Sequence, residues 1–358
     1  MLIIDSHLDL SWNGLQGGRD LNCSVHTLRA REAGKSGHGL GQGTVAFPEM
    51  RRGRMALCFS TLLARSTGVP VEHIDYPTPE QAYGAAQGQL AYYRALEARG
   101  TVRILRDRSS LEAHIQEWEA WDRTAPPEEV PSLPLGFVIS MESADPIMDP
   151  EQLVEWYAQG IRVIGPAHYG LGRYAGGTST ELGLIPEGIR LIAEMQRLGI
   201  FLDLTHFSDQ AFWQALDHYQ GPVLASHNNC RALVPHQRQY SDEQIQAIIQ
   251  RKGVIGIALD DWMLVPGWIT RPGANQSVSL SNVVDHIDHI CQLAGNAYHA
   301  AIGSDLDGLY GREQSPGDLD TIADLQKIPD LLAKRGYTAD QISGIMYQNW
   351  LRLFRSNW

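Results

Sequence analysis

The stretch LIIDSHLDLSWN, residues 2–13, begins as an apolar, β-branched run and then places two metal-ligand side chains, His7 and Asp9, directly behind it. The apolar part predicts a buried β-strand. Side chains at positions i and i+2 of a strand lie on one face, so His7 and Asp9 can reach one ion while Leu8 points to the opposite side. This pattern is typical of a barrel whose reactive groups lie at the carboxyl ends of parallel strands.

Further apolar runs of the same kind follow, separated by segments with helical periodicity. We predict strands at 2–8, 55–63, 135–141, 161–167, 201–205, 222–226, 253–259 and 299–304, and the clearest helices at 79–98, 186–198, 208–218, 242–251 and 280–294. Such a series without a Gly-rich phosphate-binding turn favours an α/β fold of the closed (β/α)8 or TIM-barrel type over an open doubly wound sheet. We expect residues 1–358 to form one such domain, with the Gly-rich loops 32–54 and 168–185 walling an active site.

The composition excludes several classes of function. The chain has 358 residues, of which 43% are hydrophobic, and its formal net charge of -12 opposes binding to nucleic acid. Its apolar runs are far shorter than the roughly 20 residues that cross a bilayer. The four cysteines lie far apart without a C-x-x-C pair, and the N-terminus lacks the pattern of an export signal. We therefore expect a cytoplasmic protein with no nucleic-acid or membrane partner.

Polar side chains follow most of the predicted strands at their carboxyl ends. They are His7, Asp9, Glu142, His168, His206, His227, Asp305 and Asp307. A single histidine at a strand end usually makes an ordinary hydrogen bond. Several imidazoles and carboxylates at one end of a barrel would be costly to bury unless a cation neutralised them. We therefore predict a metal centre at this end.

The number of ligands predicts two ions. Five of these side chains are candidate ligands: His7, Asp9, Glu142, His206 and His227. Five exceed the three that a catalytic zinc usually takes from protein, and a shared carboxylate would divide them into two sets. Related barrels often use a carboxylated lysine as the bridge, but no lysine of this chain follows a predicted strand. Glu142 is the predicted bridge, with His7 and Asp9 on one ion and His206 and His227 on the other.

Several blocks of this sequence resemble the renal, or membrane, dipeptidase family of the amidohydrolase superfamily. In family order they are DSHLDLSW (5–12), SMES (140–143), LGIFLDLTHFS (198–208), PVLASHNNCRAL (222–233), HQRQ (236–239), AIGSDLDG (301–308) and NWLRLF (349–354). The resemblance covers nearly the whole chain. It implies a metal-dependent dipeptidase with two zinc ions, although other divalent metals stay open, and a small dipeptide as substrate. A homodimer also stays open.

The resemblance implies roles for residues outside the ligand set. Asp305 matches the catalytic acid/base, His168 a contact to the scissile group, Arg238 the clamp on the substrate carboxylate and Trp12 an aromatic wall of the pocket. Because zinc lowers the pKa of its water to about 7, a hydroxide that bridges the two metals is the expected nucleophile. Arg231 is the competing candidate for the clamp, and we expect it to be structural.

Two departures from the family pattern lie in the expected pocket. Ser-Ala-Asp at 143–145 stands where Gly-Gly-His commonly follows the bridging glutamate, and Asp260 and Asp261 stand where some relatives have a tyrosine. Hydrolysis is still predicted, but the accepted side chains stay open. So do another amidohydrolase reaction, on an N-acyl amino acid, a lactone, another amide or a phosphoester, and an inactive metal-binding scaffold. Asp307 precedes a glycine, and we expect it to cap a loop or helix.

Overall fold

The computed structural model describes residues 1–68, 71–126 and 128–358. That part of the chain contains nine strands: β1 Ile3–Leu8, β2 Met55–Leu63, β3 Val102–Ile104, β4 Leu135–Glu142, β5 Ile161–Gly165, β6 Phe201–Asp203, β7 Val223–Leu224, β8 Ile255–Ile257 and β9 Ala300–Ile302. Its α-helices are α1 Leu10–Leu15, α2 Val25–Glu32, α3 Phe47–Arg52, α4 Pro79–Ala98, α5 Arg108–Thr124, α6 Leu153–Ala158, α7 Pro186–Leu198, α8 Asp209–His218, α9 Asp242–Gln250, α10 Asp261–Leu264, α11 Leu280–Ala294, α12 Ile328–Lys334, α13 Ala339–Ser343 and α14 Asn349–Asn357. Short 3-10 segments lie at Pro150–Gln152, Ala274–Ser277, Arg312–Gln314 and Ile322–Lys327, and the π-helical segment Gly344–Gln348 joins α13 to α14.

The strands form a parallel barrel in the order β7-β6-β5-β4-β2-β1-β9-β8. It closes between β7 and β8, where the backbone N–H of Ala225 donates to Val254 (3.0 Å) and that of Gly256 donates to Ala225 (2.8 Å). The predicted (β/α)8 barrel is therefore confirmed. Strand β3 pairs with the start of β4 outside this ring. It was not predicted, because three residues are too few to show a strand period.

The strands from β5 to β9 are shorter than predicted, and buried carboxylates explain part of the difference. Asp203 ends β6, and its Oδ1 accepts the backbone N–H groups of Thr205 and Ser226, each at 3.0 Å. In β1, Asp5 Oδ1 accepts the N–H of His7 at 3.2 Å and that of Ser304 at 2.8 Å. At Asp203 and Asp5, a side-chain oxygen thus accepts the backbone N–H groups that a carbonyl oxygen would accept in a regular parallel strand pair. The backbone is tied across neighbouring strands just before the ligand residues.

The barrel interior below these strand ends is tightly closed. Ser6 Oγ donates to the carbonyl groups of Ser226 and Ile302. A Cβ at Gly303 would lie 1.8 Å from the Ser226 carbonyl oxygen, and one at Gly256 would lie 2.3 Å from Ser6 Oγ. Only glycine fits at either position. The close approach holds β1, β8 and β9 together directly beneath the polar strand ends.

The helices agree with the prediction at most of their bounds. Helix α4 covers 79–98 as predicted and starts with a capping box between Thr78 and Gln81. Helix α7 ends at Leu198 and is capped by Gly199, whose φ is 70°. The predicted loop 32–54 is wrong in part, because α3 lies within it. No helix in the described part of the chain has the length and apolarity needed to cross a membrane.

Candidate metal centre

Glu142, the last residue of β4, lies at the centre of the polar cluster. Its Oε1 is 3.2 Å from His206 Nε2, 3.3 Å from His227 Nε2 and 3.7 Å from His168 Nε2. Its Oε2 is 3.6 Å from His7 Nε2. Strand ends that are far apart in sequence therefore deliver imidazoles to both oxygens of one carboxylate.

The side chains form three overlapping groups whose ligand atoms lie within 4.8 Å of one another: His7 with Asp9 and Glu142; Glu142 with His206 and His227; and His7 with His227 and Asp305. The first two groups coincide with the predicted division of the ligands and share Glu142. A single carboxylate with two oxygens aimed at different ligand sets is the arrangement that a metal-bridging group requires.

The donor set of these groups fits bound cations. His7 Nε2 and Asp9 Oδ1 are buried and have no hydrogen-bond partner among the described residues. The Nε2 atoms of His206 and His227 lie 3.2 Å apart, although both face the same carboxylate. Imidazole nitrogens and carboxylate oxygens are the ligands that zinc takes from protein. Buried, unpartnered ligand atoms that converge in this way are explained by a cation between them.

The electrostatics of the cluster favour neutral rings at His206 and His227 and place several carboxylates around His7. Burial lowers the pKa of His206 and of His227 well below the usual range, so both imidazoles are neutral, the form that binds metal. At His7 burial acts in the same direction, but Glu142 and Asp9 outweigh it and raise the pKa of the ring. Asp305 Oδ1 also lies 3.8 Å from His7 Nε2. A divalent cation would balance this local negative charge.

Each of the three predicted histidine ligands has a hydroxyl oxygen next to Nδ1: Thr61 for His7 (3.5 Å), Thr178 for His206 (3.1 Å) and Ser226 for His227 (2.9 Å). Thr178 Oγ1 also donates to the carbonyl of His206 at 3.3 Å, which leaves it free to accept from Nδ1–H. A ring with its proton on Nδ1 presents the lone pair of Nε2, and this outer contact is the usual support for a metal-bound histidine.

His168 has a different neighbour. Its Nδ1 contacts Arg65 Nη1, and Arg65 is paired with Asp75. Sequence reasoning missed Arg65, which follows β2 and is only 3% exposed. The sequence does show a charged residue directly after the apolar run LLA. Its functional partner, His168, lies 103 residues further along the chain, so the contact could not be predicted.

A cavity of about 220 Å³ opens above the cluster. Besides the polar cluster, its walls include Arg65, Tyr169, Arg238, Asp260 and Trp262. The Gly-rich loop 168–185 supplies part of the wall, as expected. The loop 32–54 does not line it, and that part of the prediction is wrong.

The two candidate arginines occupy different surroundings. Arg238 faces the cavity, where its Nη2 donates to the carbonyl of His227 at 2.9 Å, its Nη1 to Asn228, and its buried Nε has no partner among the described residues. Arg231 is turned away and forms a bidentate ion pair with Asp209 at 2.9 and 2.7 Å. Of the two, only Arg238 can meet a ligand in the cavity.

Trp12 does not line the cavity. Its indole N–H donates to the carbonyl of His73 at 3.2 Å, and in sequence His73 lies between the wall residues Val71 and Ile74. Among the departures from the family pattern, Asp145 accepts the N–H groups of Ser66 and Arg173, both at 2.8 Å, and so ties two loops together.

Asp260 faces the cavity instead. Burial raises its pKa to about 7, against the lowering effect of hydrogen bonds from Gln314 and Trp262. The wall of the cavity therefore carries a buried carboxyl group at this position.

The closed barrel and the cluster of imidazoles and carboxylates at its carboxyl-terminal mouth define a metal-dependent hydrolase of the (β/α)8 class. The chain belongs to the membrane dipeptidase family (peptidase family M19), whose family pattern matches residues 1–357.

Comparisons with individual proteins agree with this assignment. A protein of the pqqA 5' region of Klebsiella pneumoniae is 31% identical over 215 residues, which are 58% of this chain and 76% of that protein. The dipeptidase tcpJ of Claviceps purpurea is 32% identical over 203 residues, 55% of this chain and 44% of its own length. The alignment thus spans about half the length of the curated dipeptidases that it matches.

Solved structures share the fold over the whole chain. A metallopeptidase from Rhodobacter sphaeroides, bound to a phosphinate mimic of the dipeptide L-Ala-D-Ala, matches with a TM-score of 0.76 and 22% identity, covering 100% of this chain and 99% of that one. The probable dipeptidase PvdM from Pseudomonas aeruginosa matches with a TM-score of 0.77 and 19% identity, covering 99% and 94%. At identities of 22% and 19%, these comparisons show that the fold is shared and no more.

Proposed function

We propose that this chain hydrolyses the peptide bond of dipeptides and similarly short peptides that end in a free carboxylate, at a centre of two zinc ions. The observation that carries the proposal is Glu142, whose two oxygens face two separate sets of ligand atoms on the floor of the cavity. The family membership supports a metallopeptidase, and the Claviceps purpurea relative is named a dipeptidase.

The proposed ligands are His7 and Asp9 for one ion and His206 and His227 for the other, with Glu142 between them. Zinc held by these residues would supply a Lewis acid toward the peptide carbonyl and lower the pKa of a coordinated water to about 7. The remaining steps belong to side chains of the chain itself, which bind the substrate and move its protons.

Asp305 is the proposed proton carrier. Its carboxylate accepts no hydrogen bond from the described residues, it lies 3.8 Å from His7 Nε2, and 17% of the side chain is exposed to the cavity. A carboxylate in this position can take a proton from the attacking water and return it to the leaving amine. The N–H of His168 would donate to the carbonyl oxygen, whose negative charge grows as the bond is attacked.

Arg238 is the proposed clamp for the substrate carboxylate. The guanidinium group has N–H donors that its contacts with His227 and Asn228 leave unused, and its planar fork suits a carboxylate. The cavity volume of about 220 Å³ lies below the range of about 300–1,000 Å³ that is common for drug-sized ligands. A small cavity with a carboxylate-binding wall favours dipeptides over longer chains.

The test combines metal content with substrate range. We expect elemental analysis to find two zinc ions per chain, and His206→Ala and His227→Ala each to lose bound metal and turnover. A panel of L-Xaa-L-Xaa, L-Xaa-D-Xaa and N-acylated amino acids should show cleavage of free dipeptides. Two tightly bound metals and full turnover in both histidine variants would contradict the ligand assignment, and cleavage of N-acyl amino acids alone would replace the dipeptidase proposal.

A further inference from the structure

The group next to Nδ1 separates His168 from the histidines proposed as ligands. Those have hydroxyl oxygens there, which can accept a hydrogen bond from a ring N–H. His168 Nδ1 instead contacts Arg65 Nη1. A guanidinium group has only N–H donors and no acceptor, so Nδ1 must accept through its lone pair. A neutral ring in that position carries its proton on Nε2.

We propose that Arg65 is a positioning residue that holds His168 as the Nε2–H tautomer, so that the ring presents a hydrogen-bond donor to the cavity and not a lone pair. The consequence for turnover rests on the proposed function, whereas the tautomer itself does not. His168 Nε2 lies 3.7 Å from Glu142 Oε1, yet His168 belongs to none of the groups of converging ligand atoms among the described residues, which agrees with a role other than metal binding.

The guanidinium of Arg65 is itself held in place. Asp75 accepts from Arg65 Nη2, and the same carboxylate also accepts from Thr67 Oγ1 at 2.8 Å and from the backbone N–H of Val71 at 3.0 Å. On the other side, Arg65 Nη1 also donates to the carbonyl of Tyr169 at 3.4 Å. A side chain buried and anchored in this way can direct the adjacent ring without touching the substrate.

The molecule contains a second example of the same arrangement. Arg103 Nη1 lies 3.2 Å from His114 Nδ1, while His114 Nε2 lies 2.7 Å from the carbonyl oxygen of Ala56. A carbonyl oxygen only accepts, so the Nε2 of His114 must carry the proton and its Nδ1 must accept from the arginine. At His114, the carbonyl partner of Nε2 identifies the Nε2–H tautomer independently of the arginine. An arginine at Nδ1 therefore accompanies the Nε2–H tautomer in this second case.

The state of the ring determines what it can do in the cavity. With the proton on Nε2, His168 stabilises a developing oxyanion, an interaction whose loss commonly costs on the order of 10²-fold in kcat. With the proton on Nδ1, the Nε2 lone pair would repel that oxyanion and would be free to bind a cation instead. Without Arg65, the ring of His168 can adopt the Nδ1–H tautomer.

The first test needs no substrate. Long-range ¹H–¹⁵N spectra of histidine-labelled, zinc-loaded protein should show the Nε2–H pattern for His168, assigned by its loss in His168→Gln, and for His114 as an internal reference. In Arg65→Met the pattern of His168 should change to Nδ1–H or to a mixture, while that of His114 stays. An Nδ1–H pattern for His168 in the unmodified protein, or an unchanged pattern in Arg65→Met, overturns the proposal.

The second test asks whether Arg65 acts through His168. Arg65→Met should lower kcat about 10- to 100-fold with a smaller change in KM, and should cause no further loss of kcat in the His168→Gln background. Additive losses would mean a separate structural role and overturn the proposal. Arg65→Met leaves Asp75 buried without its cation. The double-mutant cycle of Arg65→Met and His168→Gln is therefore repeated in a protein that carries Asp75→Asn throughout. Asp75→Asn alone keeps the arginine and an acceptor oxygen for it, and its kcat is the reference value for this second cycle.

Arg103→Met is the matched control, because it removes the same contact from a histidine far from the cavity. It should leave kcat and the pattern of His168 unchanged. If no dipeptide is hydrolysed by the unmodified protein, the proposed function fails while the spectra still decide the tautomer.

Discussion

Two buried clusters of charge meet at the mouth of the barrel, at Asp305 and Asp307, and they differ in how completely their charges are matched. Asp307 accepts the N–H and hydroxyl of Thr44, both at 2.7 Å, and the N–H of Val45 and Arg19 Nη1, both at 3.1 Å. Asp305 accepts no hydrogen bond from the described residues. Both residues have left-handed backbones, with φ of 57° and 61°. The difference between them therefore lies in their partners.

The closed cluster around Asp307 extends to Arg19 and Glu32. Arg19 Nε and Nη2 donate to the two Glu32 oxygens at 2.8 and 3.1 Å, and its Nη1 also donates to Asn13 at 2.8 Å. Every strong donor there has an acceptor, as is required of buried charge that serves stability. In the cluster around Glu142, the Asp305 carboxylate, His7 Nε2 and Asp9 Oδ1 have no hydrogen-bond partner among the described residues, which is the expected property of a site that binds a cation and a substrate.

The sharpest test of this comparison exchanges each carboxylate for its amide. Asp305→Asn keeps the shape but removes the proton acceptor, so we expect two bound metals, an unchanged unfolding transition and a loss of about 10²-fold or more in kcat. Asp307→Asn removes the charge that Arg19 requires, so we expect the free energy of unfolding to fall by about 1–3 kcal/mol while the folded fraction keeps its kcat.

Urea unfolding, metal analysis and steady-state kinetics on the same preparations separate these effects. A metal-replete Asp305→Asn protein with near-normal kcat, beside a stable but inactive Asp307→Asn protein, would reverse the two assignments.

The second test compares the arginines of the loop after β7. Arg238→Met should raise KM for free dipeptides and lower kcat/KM about 10- to 100-fold, because a charged hydrogen bond contributes about 1.5–3 kcal/mol. The loss should be far smaller for dipeptide amides, which have no carboxylate to bind. Arg231→Met should lower the free energy of unfolding. It should leave the ratio of kcat/KM for free dipeptides to kcat/KM for dipeptide amides unchanged. Equal losses on dipeptides and their amides would place the clamp elsewhere.

The smallest expected effect concerns a buried polar group with a complete set of partners. Burial lowers the pKa of His114 to about 4, whereas the unfolded chain binds this proton near pH 6.5. Because the folded state disfavours the proton, the contribution of neutral His114 to stability is complete above about pH 6.5 and is lost as the pH falls toward 4.

Urea unfolding at pH 7 and pH 5 measures this contribution. The unmodified protein should lose about 1–2 kcal/mol more than His114→Gln over that interval. Parallel losses in both proteins would mean that His114 is not held neutral by its burial.

The barrel and the position of the cluster were predictable, because strand periodicity and the alternation of strands with helices bring all carboxyl ends to one mouth whatever the details. His7, Glu142, His206 and His227 could therefore be grouped without coordinates. The wall of the cavity could not be predicted in the same way. Trp12 matched the family pattern yet does not line the cavity. Loop 32–54 supports Asp307 and not the cavity, because loop paths depend on side-chain packing that has no sequence period.

By itself, the sequence determined the fold class and the set of candidate ligands, since both follow from local patterns repeated along the chain. Only the tertiary structure decided which polar atoms contact one another. The hydroxyl beside His206 comes from Thr178 and the guanidinium beside His168 from Arg65. The chemistry of an imidazole depends on the group that contacts its second nitrogen, and such contacts at about 3 Å between distant segments arise only when the chain is folded.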